Sequence, residues 1–198
     1  MRWAGQRAVL LAALLAGSMA HAQAPVPPWG LGALMHTLSQ VHSATADFTE
    51  RKTSPLLSAP LIAQGTLTYV APDYMRKVTR APVPERFILD HGQVTMSGGP
   101  AGPAQTFPLA AAPQIGGLVE AIRATLAGDL PALDRFYDVQ LSGGEDGWQL
   151  RLRPKNQALA RFVRMIVIEG SASRITRIDT LSRDGSDSDM SISESDGP

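Results

Sequence analysis

Cysteine is absent from the chain, which excludes a disulfide framework and a lipid-acceptor thiol at any processed N-terminus. Histidine is nearly as scarce. His36 and His42 lie six apart on a helix-periodic segment, so they point to different faces and form no four-apart metal pair, and His91 sits in the turn DHG. Nucleotide and nucleophile motifs are missing too. GLGALM, residues 30–35, opens like a dinucleotide fingerprint but has no strand before it and no third glycine. Gly170-Ser171-Ala172-Ser173 lacks the second glycine of a nucleophile elbow. DGSDSD, residues 184–189, places its glycine second and is followed by no glutamate at the twelfth position, so it is expected to be an Asp-Gly hairpin turn and not a calcium loop. The expectation is a protein without enzymatic activity, metal or cofactor.

Long apolar runs are confined to the start. In MRWAGQRAVLLAALLAGSMAHAQA, Arg2 and Arg7 make a positive lead, and residues 8–17 are apolar but too short to span a bilayer. Ala20 and Ala22 present the small residues that signal peptidase reads. A secretory signal over residues 1–22 is expected, with Gln23 as the new N-terminus, a periplasmic location and one domain over residues 23–198. Taking Arg2 and Arg7 from the 18 basic groups leaves 16 against 18 acidic ones, a net charge of −2 that argues against nucleic acid.

What the chain has in quantity is hairpins. After PVPP, a stiff spacer, Leu31, Leu34, Leu38 and Val41 recur at helical spacing; ATADFTERK then switches to period two. Strands are predicted near residues 61–70, 74–80, 86–90 and 93–97, and residues 98–113 read as a loop carrying at most one short strand. QIGGLVEAIRATLAGD and LPALDRFYDV are predicted as helical segments, and GWQLRLRP, RMIVIEG, SRITRIDTLSRD and MSISE return to strands. Roughly ten strands in one sheet would curl. The fold class is therefore a mainly β, α+β arrangement: an antiparallel sheet with about three helices gathered on one face. Arg76, Lys77, Arg80, Arg151, Arg153, Lys155, Arg161 and Arg164 form a basic set, read chiefly as solvated sheet faces, with an anionic membrane surface or acidic partner as the functional alternative.

In order and spacing, VHSATADFTE, GTLTYVAP, ERFILDHGQV and WQLRLRPK resemble the periplasmic outer-membrane lipoprotein carriers of the LolA-like family, over about residues 31–192. The resemblance implies an open antiparallel β half-barrel, with a lid of about three helices over an apolar cavity for acyl chains. It also implies a monomer that takes lipoproteins from an inner-membrane releasing complex to an outer-membrane acceptor. Carried over by position, Leu38, Val41, Phe48, Leu67, Tyr69, Met75, Lys77, Phe87 and Leu89 match lining or lid-contact positions. A charge at Phe48 or Leu89 is expected to stay hydrated in such a cavity and to weaken binding without unfolding. The chain departs from the family pattern at three points. Ala71 stands where the main carriers have a latching arginine, Lys77 replaces a cavity aromatic, and the chain stops soon after MSISE, so it resembles a divergent, shorter member. Two other functions fit the same fold: a carrier of a lipid or lipid-linked polyene precursor, and an envelope-stress sensor-type binding module.

Overall fold

The computed structural model describes residues 29–155 and 157–195; the expected signal segment and the PVPP spacer lie outside them. Strands β1 (Ser43–Thr53), β2 (Leu61–Val70), β3 (Tyr74–Ala81), β4 (Glu85–Asp90), β5 (Gln93–Gly98) and β6 (Gln105–Pro108) form a meander. After the helices α1 (Leu31–Ser39), which precedes the meander, and α2 (Pro113–Leu126) and α3 (Leu130–Phe136), which follow it, a second meander is built from β7 (Tyr137–Gly144), β8 (Gly147–Pro154), β9 (Val163–Ser171), β10 (Arg174–Ser182) and β11 (Asp187–Glu194). A single turn of helix, α4 (Gln157–Ala160), joins β8 to β9. β1 pairs with β11, which fuses the two meanders into one antiparallel sheet of eleven strands in the order β6-β5-β4-β3-β2-β1-β11-β10-β9-β8-β7. Its edge strands β6 and β7 do not pair, so the half-barrel stays open.

Topology explains where the helices sit. α2 and α3 are the connection between the two edge strands, and a segment joining opposite edges of a curled sheet must cross its open side. Helix and sheet then bury each other's apolar stripes in two clusters. The larger packs Leu34, Met35 and Leu38 of α1, Ala121 and Ala124 of α2 and Leu133 of α3 against Leu150, Leu152, Ile166, Ile168 and Ile178 of β8 to β10. The smaller packs Val119 of α2 on Leu89 and Val94, with Met75, Phe87, Met96 and Phe107 around them. The Tyr137 hydroxyl donates to the Gly117 carbonyl at 2.8 Å and ties α2 to β7. Gly117 makes room there: a Cβ would sit 2.1 Å from Leu159 Cδ1, so the Leu159 side chain would have to shift.

One element differs from the expectation. LPALDRFYDV is helical only to Phe136, and Tyr137 opens a strand. Asp129 caps the helix by accepting from the Ala132 amide at 3.1 Å. Beyond Phe136 the period changes to two, with Tyr137, Val139 and Leu141 less exposed than Asp138, Gln140 and Ser142, which is a half-buried edge strand. The overlooked strand is β7. The DHG turn stands as read: His91 and Gly92 both take positive φ, 47° and 74°, the two-residue turn whose twist suits a hairpin.

Candidate functional site

Register decides which side chains share the helix-covered face. Across β5-β4-β3-β2-β1 one row runs Met96, Phe87, Lys77, Leu67, Ala46, and its neighbour runs Val94, Leu89, Met75, Tyr69, Ala44. The period-two rule then puts Phe48, Glu50 and Lys52 on that face as well, opposite Gly65, Ala63 and Leu61. Gly65 gives the Phe48 ring its place: a Cβ there would lie 2.8 Å from Phe48 Cε1 and 1.9 Å from the Val78 carbonyl oxygen. Leu67 and Lys77, with Phe87 and Met96 at the edge of the smaller cluster and Met190 and Ile192 at the edge of the larger, are only half-buried, so a shallow trough runs along this face over β2, β3, β4, β5 and β11.

A polar cluster stands at one end of this trough. Glu50, whose side chain is 6% exposed, forms an ion pair with Lys77 and a second with Lys52 at 3.5 Å, and it accepts from the Ser188 hydroxyl at 2.6 Å. The Lys77 ammonium also lies over the Phe48 ring, 4.8 Å from its centroid. Burial alone would raise the Glu50 carboxyl, but the two lysines and the Ser188 hydrogen bond outweigh it and hold the group below its ordinary value. Burial also dominates at Lys77, and there it wins, so the amine is lowered in spite of Glu50. The asymmetry is physical: Glu50 has two cations, whereas Lys77 has one close carboxylate and a second lysine nearby.

The expected lining residues all lie on or against the helix-covered side, but they do not form one wall. Leu38 is in the larger cluster and Val41 follows α1, its amide donating to the Leu38 carbonyl at 3.0 Å. Met75, Phe87 and Leu89 belong to the smaller cluster, and Leu67 and Lys77 lie in the trough between. Phe48 and Leu89 are 3% and 1% exposed, so they are sealed in this conformation and a charge there would strike the fold first. The buried Tyr69 hydroxyl has no hydrogen-bond partner among the described residues, and burial raises it. It lies in the fields of Asp73 and of Arg123, whose guanidinium reaches the Pro72 carbonyl at 3.5 Å and pairs with Glu120 at 2.6 Å. A helix arginine thus meets the β2–β3 hairpin beside Ala71.

Glu50, Lys52 and Ser188 were not singled out from the sequence, although the alternation in ADFTERK carries the signal for the first two. Beside them, at the rim, lies a cleft of about 250 Å³ lined by Lys52, Ser54, Leu57, Leu61, Asp187 and Ser188 among others. A larger hollow, about 360 Å³, lies by β7 to β10, where Gln149 and Glu169 already bond each other at 2.6 Å. It offers no apolar wall comparable with the trough.

No curated protein matches the sequence significantly. Solved structures that align with the chain include a LolA superfamily protein from Nitrosomonas europaea, at 9% identity and a TM-score of 0.44 over 84% of this chain and 94% of that one. A DUF1329 family protein from Desulfovibrio piger aligns at 12% identity and 0.46 over 85% and 92%. The Pseudomonas aeruginosa MucA/MucB complex aligns at 11% and 0.43 over 83% of this chain and 56% of that one. The family model described as outer membrane lipoprotein carrier protein LolA-like matches residues 24–192, and the chain belongs to that family.

Proposed function

We propose that the protein is a periplasmic carrier that takes the acyl chains of a lipoprotein into the half-barrel and moves them between the inner and outer membranes. It does so by binding and not by catalysis. The observation that carries this reading is the half-buried apolar trough formed by Leu67 with the cluster-edge residues Phe87, Met96, Met190 and Ile192. Burying a methylene is worth about 0.8 kcal/mol, so a sixteen-carbon chain would gain about 12 kcal/mol if enclosed. Part of that gain is spent displacing the lid, because Val119 of α2 already occupies Leu89 and Val94. A cargo that competes with the protein's own lid is held less tightly and can be released.

The lid has a reason to move. Closed, it leaves the Tyr69 hydroxyl without a partner among the described residues, a cost of about 1–3 kcal/mol that water would relieve on opening. In this proposal Leu38 and Val41 contact the lid side. Phe48, Leu67, Tyr69, Met75, Phe87 and Leu89 line the opened cavity, and Lys77 meets the polar end of the cargo. Lys52 and Lys77 face Glu50 and Asp187 at the junction of trough and cleft, which makes it polar and close to neutral and places the Lys77 amine to meet an anionic head where the cargo is a free lipid. An inner-membrane donor and an outer-membrane acceptor follow from family membership as proposed partners.

Mass spectrometry of the organic extract from protein purified out of the periplasm tests the proposal. An acylated species at about one per chain supports it. An extract without acylated species, together with no binding of an apolar dye to the emptied protein, would sink it.

A further inference from the structure

Six of the seven exposed large apolar side chains among the described residues are gathered at one end of the half-barrel; the seventh, Val70 at 43%, stands at the other. Leu56 is 95% exposed, and Leu57, Leu61, Ile62, Val83 and Phe162 are 42–49% exposed. The pairings Lys52 with Leu61, Thr53 with Asp187, Gln64 with Ala81 and Val163 with Ser182 put all six at the same rim, where β1, β3 and β10 end and β2, β4, β9 and β11 begin. Much of the rim is one continuous surface. The Ser54 and Ser186 hydroxyls bond at 3.0 Å, Gly185 packs by Pro55, and the Arg183 amide donates to the Phe162 carbonyl at 2.9 Å.

Charge follows the same division. Arg51 lies opposite Ile62, and Arg161, Arg164 and Arg183 surround Phe162. Among the described residues none of these four arginines has a carboxylate within ion-pair distance. Of the rim's acids, Asp184 accepts from the Ser186 amide at 2.9 Å, Asp187 from the Ser182 amide at 3.2 Å, and Glu85, at the start of β4, lies beside Gly99. At the opposite end the turns 71–73, 91–92 and 145–146 carry Asp73, Glu145 and Asp146 and no lysine or arginine. Arg123 reaches the Pro72 carbonyl and Arg174 pairs with Glu194 at that end, so it is mixed in charge, and the Leu56 rim is the more basic and more apolar of the two.

We infer that the rim bearing Leu56, Leu57 and Phe162 docks the carrier on an anionic phospholipid bilayer, with these side chains inserted among the acyl chains and the arginines on the headgroups. Leucines standing nearly alone on projecting connections suit a fluid interface, whereas a protein partner would be expected to meet anchors seated in a packed patch. Docking at this end also brings the cleft by Lys52 and Leu61 to the membrane, so cargo would enter the trough from the bilayer. This goes beyond cargo binding, and it can fail while the carrier reading stands.

The absence of cysteine makes the test direct. Leu56→Cys and, at the far end, Asp146→Cys are each labelled with an environment-sensitive fluorophore and mixed with vesicles of phosphatidylglycerol and phosphatidylcholine. The label at position 56 should shift to the blue and the label at 146 should not, with the response weaker on pure phosphatidylcholine and falling with salt. Unlabelled Leu56→Ser/Phe162→Ser should lose at least about tenfold in vesicle flotation while keeping wild-type affinity for an apolar dye, and Arg161→Glu should lose the preference for anionic lipid. No blue shift at position 56, a shift at 146 instead, or flotation unchanged by the double substitution would overturn the inference. A trough variant, Leu67→Glu, should still float, which separates docking from extraction of lipid into the trough.

Discussion

Removing the charge of Glu50 is the most direct test of how the polar cluster is held. Glu50→Gln keeps the shape and an acceptor for Ser188 but leaves Lys77 and Lys52 without their carboxylate. Breaking a fully buried pair costs about 3–5 kcal/mol. Lys77 is 26% exposed and can draw its ammonium toward water, and Lys52 at 43% contributes little, so we expect about 2–3 kcal/mol. For a domain of this size that corresponds to a Tm lower by about 4–12 °C. Glu50→Gln/Lys77→Met should recover most of the loss, because a neutral pair of similar volume has no charge to strand; the cycle should give a coupling of about 2 kcal/mol.

The pH dependence has a definite sign. The Glu50 carboxyl is lower in the folded chain than its usual 4.5, so its stabilisation is present above the unfolded value and is lost as pH falls through the folded one. Glu50→Gln should lack that acid-side loss. Lys77 acts in the alkaline range: its folded value lies below 10.5, so the unfolded chain binds the proton more tightly and stability rises with pH between the two values. Urea unfolding of wild type, both single variants and the double variant from pH 3 to 11 reads all of this. A Glu50→Gln variant within about 0.5 kcal/mol of wild type at pH 7, with an unchanged acid limb, would refute the argument.

Three further outcomes follow from particular contacts. Tyr69→Phe removes a hydroxyl that has no partner under the closed lid; we expect a gain of about 1 kcal/mol in urea unfolding and slower entry of an apolar dye in stopped flow. Leu67→Glu and Phe87→Glu place a charge in the half-buried trough and should weaken dye binding with the fold intact by circular dichroism, whereas Phe48→Glu, at a site 3% exposed, should unfold the domain. Lys77→Met should weaken binding of an ionised fatty acid more than that of its methyl ester, measured by dye displacement; equal loss for both would remove Lys77 from the polar contact.

Most of the sheet was legible because hairpin strands announce themselves locally. In GWQLRLRP the buried Trp148, Leu150 and Leu152 alternate with more exposed neighbours, and DHG and DGSDSD form the turns their residues favour. β7 was obscured because it starts directly after α3 and Phe136-Tyr137 continues the apolar pattern of either element. The trough was legible only in part, since a strand's parity tells which residues share a face but not which of them a helix covers. Leu89 and Leu67 face the same side, yet Val119 comes down near the first and leaves the second half open.

The polar cluster shows the same limit from the other direction. Parity alone places Glu50 and Lys52 beside Phe48, and their charges argue for solvent; only the long-range pairing of β1 with β3 through β2, and with β11, supplies Lys77 and Ser188 to make burial tolerable. This arrangement gives a carrier something a continuous apolar lining lacks. On the proposed carrier reading, the apolar rows end at a polar group of Lys77, Lys52, Glu50 and Asp187, so an acyl chain would enter with its tail toward the clusters and its polar head at the rim. The same end carries Leu56, Leu57 and four arginines that have no ion pair among the described residues. The head would therefore be the last part to leave the bilayer on loading and the first to return on delivery.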